Sequence, residues 1–145
     1  MKKIVIIALG ILFVWFTLDI TGFAIKDFVL VISAFKDEPI DVVWWAIFLI
    51  ATVLFIWKDK IGKYIIAAFL VIWALIQCRM YFIGEQGIKS YNNYFINEGT
   101  HRILPTSNTF LVKDTYHIFL DILILFSLIC VFIFVVKSLA KSRTN

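Results

Sequence analysis

Residues 115–136 read TYHIFLDILILFSLICVFIFVV, with His117 and Asp121 the only ionisable side chains apart from Tyr116 and Cys130. About 20 consecutive apolar residues suffice for a helix to cross the hydrocarbon core of a bilayer, and this run exceeds that. Three further apolar runs lie upstream, at residues 4–25, 40–57 and 64–83. The second covers roughly 27 Å at ~1.5 Å per residue, close to the hydrocarbon thickness. Trp44 and Trp45 sit near one of its ends and Trp57 at the other, as an interfacial aromatic belt requires.

Composition agrees with the runs. The chain of 145 residues is 62% hydrophobic and 17% charged, with a mean hydropathy of +0.95. Soluble domains are nearer half apolar. The expectation is an all-α integral membrane four-helix bundle, one domain over residues 1–145, with a single long loop at residues 84–114 between the third and fourth spans. The first run follows Lys2 and Lys3 and could pass for a signal peptide. Its apolar length exceeds an h-region and no A-x-A-like site follows, so it reads as an uncleaved anchor.

The basic residues orient the bundle. With the N-terminus inside, Lys2, Lys3, Lys58, Lys60, Lys63, Lys137, Lys141 and Arg143 lie inside, against Lys26, Lys36, Lys89, Arg102 and Lys113 outside. Eight against five, with a strongly basic short connection at 58–63, places both termini in the cytoplasm and the long loop outside. High Ile, Lys, Phe and Asn usage points to an AT-rich bacterial genome and hence a bacterial plasma membrane. The lipid bilayer is the expected partner, with room for a protein partner or a homo-oligomer. No basic stripe with interleaved aromatics lies outside the spans, which argues against nucleic acid.

Between the first two spans, residues 28–35 form an apolar stretch bounded by Lys26-Asp27 and Lys36-Asp37-Glu38. It is too short to span and reads as an interfacial segment or a helical extension. In the long loop, Ile88, Tyr91, Tyr94 and Phe95 recur at helical spacing, a short amphipathic helix that Gly99 ends. It either caps the bundle or acts as a lid.

The candidate site is a layer of ionisable residues. A central Asp, Lys or Arg costs about 2.5–3.5 kcal/mol to insert, and Asp19, Arg79 and Asp121 each fall within a predicted span. Counting ~1.5 Å per residue from the span ends puts all three roughly 6–9 Å below the external boundary. Arg79 can bridge two carboxylates with its fork of donors. Gln77 and His117 lie near the same level. The expected ligand-binding set is therefore Asp19, Arg79, Asp121, His117 and Gln77; the structural alternative is polar glue between helices. His117 and Asp121, four apart, share a helix face and are the catalytic candidates. Convergence of His117, Asp121, Asp114 and His101 on a metal is a thinner possibility, and neither a metal nor another cofactor is expected. Trp15 shares a face with Asp19, and Trp73 with Gln77; both fit core packing. Cys78 and Cys130 form no CxxC, should lie at different depths, and read as buried inert thiols.

Three functions remain. The first is a non-enzymatic binding or accessory protein with an outward-facing polar site in the outer leaflet. The second is a small proton-coupled transporter using Asp19 or Asp121. The third is an enzyme acting on a lipid or lipid-linked group with His117 as base, oriented by Asp121. Scarce glycine, no proline within the spans and no internal repeat weaken the transporter. No phosphate loop, G-x-S-x-G elbow or H-E-x-x-H is present, which weakens the enzyme.

Overall fold

The computed structural model describes residues 1–37 and 39–143. Glu38, one of the charged residues bounding the short apolar stretch, lies outside the described residues. The order of elements is α1 (Lys2–Thr21), β1 (Phe23–Ile25), β2 (Phe28–Val31), α2 (Ala34–Asp37), α3 (Pro39–Trp57), α4 (Asp59–Met80), α5 (Gly84–Asn97) and α6 (Thr115–Arg143). The chain is predominantly helical, and α1, α3, α4 and α6 are long and apolar enough to cross a membrane.

Helical spacing decides which residues meet. On α1, Val5, Ala8, Leu9, Leu12, Phe16 and Asp19 are buried, a stripe at intervals of three and four. On α4 the stripe is Gly62, Ile66, Phe69, Leu70 and Trp73. The opposite faces are also apolar: Ile4, Ile7, Ile11 and Val14 of α1 are exposed. A helix hydrophobic all round suits lipid rather than water. Each of α1 and α4 packs against both α3 and α6, so α1 and α4 stand diagonally, touching through Phe16 and Trp73 with ring centroids 4.7 Å apart.

Lipid tails are as apolar as these side chains, so close fit and hydrogen bonds between helices hold such a bundle rather than hydrophobic burial. Trp15 and Tyr116 stack at 5.6 Å. The Trp15 indole donates to the Tyr116 carbonyl at 3.3 Å, and the Tyr116 hydroxyl donates to the Trp15 carbonyl at 3.4 Å. Trp45 Nε1 donates to Thr17 Oγ1 at 3.0 Å, tying α3 to α1. At the far end Lys2 donates to the Ile56 carbonyl and Lys63 to Ser138 Oγ. The beginning of α1, the α3–α4 connection and the end of α6 thus share one end of the bundle.

Several expected boundaries move. The first helix stops at Thr21 because Gly22 adopts φ 74°, where its missing side chain makes room for Ser33. Over their first half residues 28–35 are not a helical extension: Phe28–Val31 pairs antiparallel with Phe23–Ile25 across Lys26-Asp27. Lys26 turns with φ 53°, and the aromatic and β-branched residues on either side favour strand. The hairpin's edge is occupied, since the His101 amide donates to the Val29 carbonyl at 2.7 Å. The expected connection at 58–63 is nearly all helix, with Lys58 alone between α3 and α4. Cys78 is exposed rather than buried, and both cysteines are free thiols.

The α3–α4 turn is close because of Gly62. A Cβ there would lie 2.4 Å from Phe55 Cα and 2.5 Å from the Leu54 carbonyl oxygen, backbone that cannot yield cheaply. Gly62→Ala is expected to lower stability by about 1–3 kcal/mol through overpacking. Gly10→Ala, with nothing within 4 Å, should be neutral or mildly stabilising because Ala is the better helix former. Thermal unfolding of both variants in one detergent, followed by circular dichroism, separates the two outcomes.

Candidate functional site

The polar layer exists at the α5 end of the bundle, but its central cation is Lys113. This lysine precedes α6 and its side chain is 1% exposed. It donates to Gln77 Oε1 at 2.7 Å and to the Asp121 oxygens at 3.0 and 2.8 Å. Its charge is thus matched by one carboxylate, with the Gln77 amide oxygen as a further acceptor. Tyr81 completes the cluster, donating to Asp121 Oδ2 at 2.9 Å, with its ring 5.0 Å from the ammonium.

Arg79 does not bridge the two carboxylates. It is exposed and makes no salt bridge among the described residues. The reason is angular. Arg79 stands six residues after Trp73, and at about 100° per residue that is some 120° away from the buried stripe. Gln77, four after Trp73, stays on it. Arg79 instead occupies the last turn of α4, where a cation is favoured by the helix dipole.

A second cluster forms at the start of α6. Asp114, 1% exposed, accepts from the backbone amide of His117 at 3.0 Å through Oδ1. That is an N-cap bond to the third residue of the helix. Its Oδ2 takes His117 Nδ1 at 2.8 Å and the Tyr91 hydroxyl at 3.3 Å. Burial alone would raise the Asp114 pKa, but hydrogen bonds and charge from His117, aided by Tyr91, outweigh it and hold the carboxyl below its ordinary value. Burial first, then the Asp114 charge, push the Tyr91 phenol well up, so it keeps its proton and donates. With Asp114 ionised, His117 Nδ1 carries the hydrogen of that bond, and it is the neutral form of the ring that leaves Nε2 as an acceptor. The group that orients His117 is therefore Asp114, not Asp121. Sharing a helix face is a weaker constraint than the capping geometry that places Asp114 beside the ring.

Both clusters border a cavity of about 660 Å³. Its polar wall carries Asp19, Asp41, Gln77, Lys113 and His117, and α5 roofs it with Tyr91, Tyr94 and Phe95. Apolar wall comes from Ile32, Ile76, Met80 and Ile83. Phe95 packs on His117 with centroids 5.2 Å apart. The amphipathic helix thus covers the bundle end and borders this open cavity at once. Asp121 opens instead onto a smaller hollow of about 130 Å³ with Cys78 and Tyr81. The Lys113–Asp121 pair and Gln77 form the partition between the two.

The structure thus brings Asp19, Gln77 and His117 to one cavity, sets Asp121 behind a partition, and leaves Arg79 outside. No group of three or more His, Cys, Asp or Glu side chains placed to hold a metal occurs among the described residues. His101 bonds to Thr115 Oγ1 at 2.8 Å rather than joining His117. Sequence reasoning missed Lys113, Tyr91 and Asp41 as members of the site. A Lys-Asp pair directly ahead of a long apolar run, with His three residues after the Asp, was the available signal. No known protein family, curated protein or solved structure matches the chain.

Removing one partner of a buried ion pair costs about 3–5 kcal/mol, whereas replacing both by apolar groups is near neutral. Lys113→Met should therefore be strongly destabilising, and adding Asp121→Leu should recover most of the loss. Equilibrium unfolding in mixed micelles measures both. Asp114→Asn preserves a capping side chain but not the charge. A carboxyl whose folded pKa is depressed contributes stability above its unfolded value, here near 3.8, and loses it as pH falls through the folded value. The variant should thus be less stable than the wild type at neutral pH and show a shallower decline below pH 3.8, as read from unfolding midpoints against pH.

Proposed function

We propose that this chain is a multi-pass protein of a bacterial plasma membrane, with both termini cytoplasmic and the α5 end outside, and that it binds a small amphiphilic molecule in the cavity beneath α5. The orientation rests on the distribution of Lys and Arg. The binding reading is carried by one observation: a space of about 660 Å³ bordered both by polar groups (Asp19, Asp41, Gln77, Lys113 and His117) and by the aliphatic side chains of Ile32, Ile76, Met80 and Ile83. Ligand pockets are commonly of ≈ 300–1,000 Å³ and mostly apolar, with a few convergent polar groups. The cavity lies where a molecule in the outer leaflet or at the outer surface would meet the bundle end.

Catalysis is the second reading, favoured by the Asp114–His117 pair. A histidine held at Nδ1 by a carboxylate, with its other nitrogen available at a cavity wall, has the form of a general base. Proton-coupled transport has less support. Asp121 is engaged by Lys113 and Tyr81, and a group so held is poorly placed to exchange protons with a substrate.

Ser90 lies on the exposed side of α5 and borders the cavity. Protein extracted in mild detergent is expected to retain a bound small molecule by native mass spectrometry. Ser90→Trp, which places an indole in the opening, should lose it with helicity unchanged. Wild-type protein that carries no such molecule and takes up none from a membrane lipid extract would remove the binding reading. Under the catalytic reading, His117→Gln retains the bound molecule but abolishes its conversion.

A further inference from the structure

The cavity has a charge preference, and it is set by which of its polar groups are already satisfied. Lys113 borders the cavity, so a first look suggests an anion site. Its ammonium lies within 3.0 Å of Gln77 Oε1 and both Asp121 oxygens, so its charge is already answered by the Asp121 carboxylate. A ligand's phosphate or carboxylate would compete with Asp121 for that one charge. Lys113 is also the only Lys or Arg in the cavity lining among the described residues.

Acceptors are plentiful by comparison. Asp19, 8% exposed on α1, and Asp41, in the first turn of α3, both line the cavity. A carboxylate offers about four lone-pair sites, so a bond made within the protein leaves others for a ligand N–H. His117 in its neutral form adds Nε2, because Asp114 occupies Nδ1. The roof is aromatic: Tyr91, Tyr94 and Phe95 border the same space. Aromatic faces attract cations, and Tyr91 already carries the Arg102 guanidinium 6.0 Å from its ring centroid.

We infer that the cavity takes an amphiphile with an ammonium head, the nitrogen directed to Asp19, Asp41 and His117 and the hydrocarbon part lying along Ile32, Ile76 and Met80. This rests on the binding reading above and names its ligand class. The ammonium could belong to a free amine or to an aminophospholipid headgroup; the recognising chemistry is the same.

The test uses the full chain in phosphatidylglycerol nanodiscs at neutral pH, with hexylamine, hexanoate and hexanol as probes of equal chain length. Ligand that binds only the folded state raises the unfolding midpoint in a saturable way. Hexylamine should do so; hexanoate and hexanol should shift the wild type no more than they shift Ser90→Trp, which reports bilayer effects alone. Asp41→Asn should weaken the hexylamine midpoint at least tenfold, and Asp41→Glu, which keeps the charge, should restore it and guard against a folding artefact. Adding phosphatidylethanolamine to the nanodiscs separates the sources: a rise in the hexylamine midpoint identifies a lipid headgroup as competitor, and no change identifies a free amine. Saturable binding of hexanoate or hexanol equal to that of hexylamine overturns the charge assignment and leaves the binding reading standing. Absence of a saturable shift with all three probes overturns this inference, and the native mass spectrum then decides separately whether the binding reading survives.

Discussion

An ammonium group away from water is tolerable only where oxygen atoms replace its hydration, and Lys113 has three within 3.0 Å. One oxygen comes from Gln77 on α4 and two from Asp121 on α6, so a single buried charge joins the segment entering α6 to the end of α4. The alternatives are costly: a lone buried lysine or a lone Asp121 carries an unmatched desolvation penalty. This constraint fixes where the chain re-enters the bundle after its long excursion through α5, and therefore where the cavity's inner wall stands.

Asp114, the next residue, makes a second junction from the same short segment. Its carboxylate caps α6, holds His117 and receives the Tyr91 hydroxyl. The capping bond is local, but the Tyr91 bond brings in α5, and with it the aromatic roof. Two adjacent residues of opposite charge thus point to different neighbours, Lys113 toward α4 and Asp114 toward α5. The cavity is the space between those two directions.

Much of the architecture was legible from local pattern. Four apolar runs of spanning length became α1, α3, α4 and α6, and the periodic Ile88, Tyr91, Tyr94 and Phe95 became α5. Asp19 could be placed because it continues the stripe of Val5, Leu9, Leu12 and Phe16. Arg79 was misjudged because depth was weighed without angle: it stands on the exposed side of α4. The hairpin at Phe23–Val31 was missed because its residues are as apolar as the helix they follow, and the edge bond that steadies it comes from His101, seventy residues on.

Sequence by itself determined the number of long apolar helices and the inward face of Asp19, since hydrophobic length and helical phase are properties of contiguous residues. It also showed that the acids within the spans need a partner or a proton, because apolar surroundings do not support unmatched charge. Only the tertiary structure decided that the cation is Lys113 and that Asp114 rather than Asp121 orients His117. Those pairings depend on the path of the loop and on the start of α6, where a difference of one residue turns a side chain by about 100° and exchanges its partners.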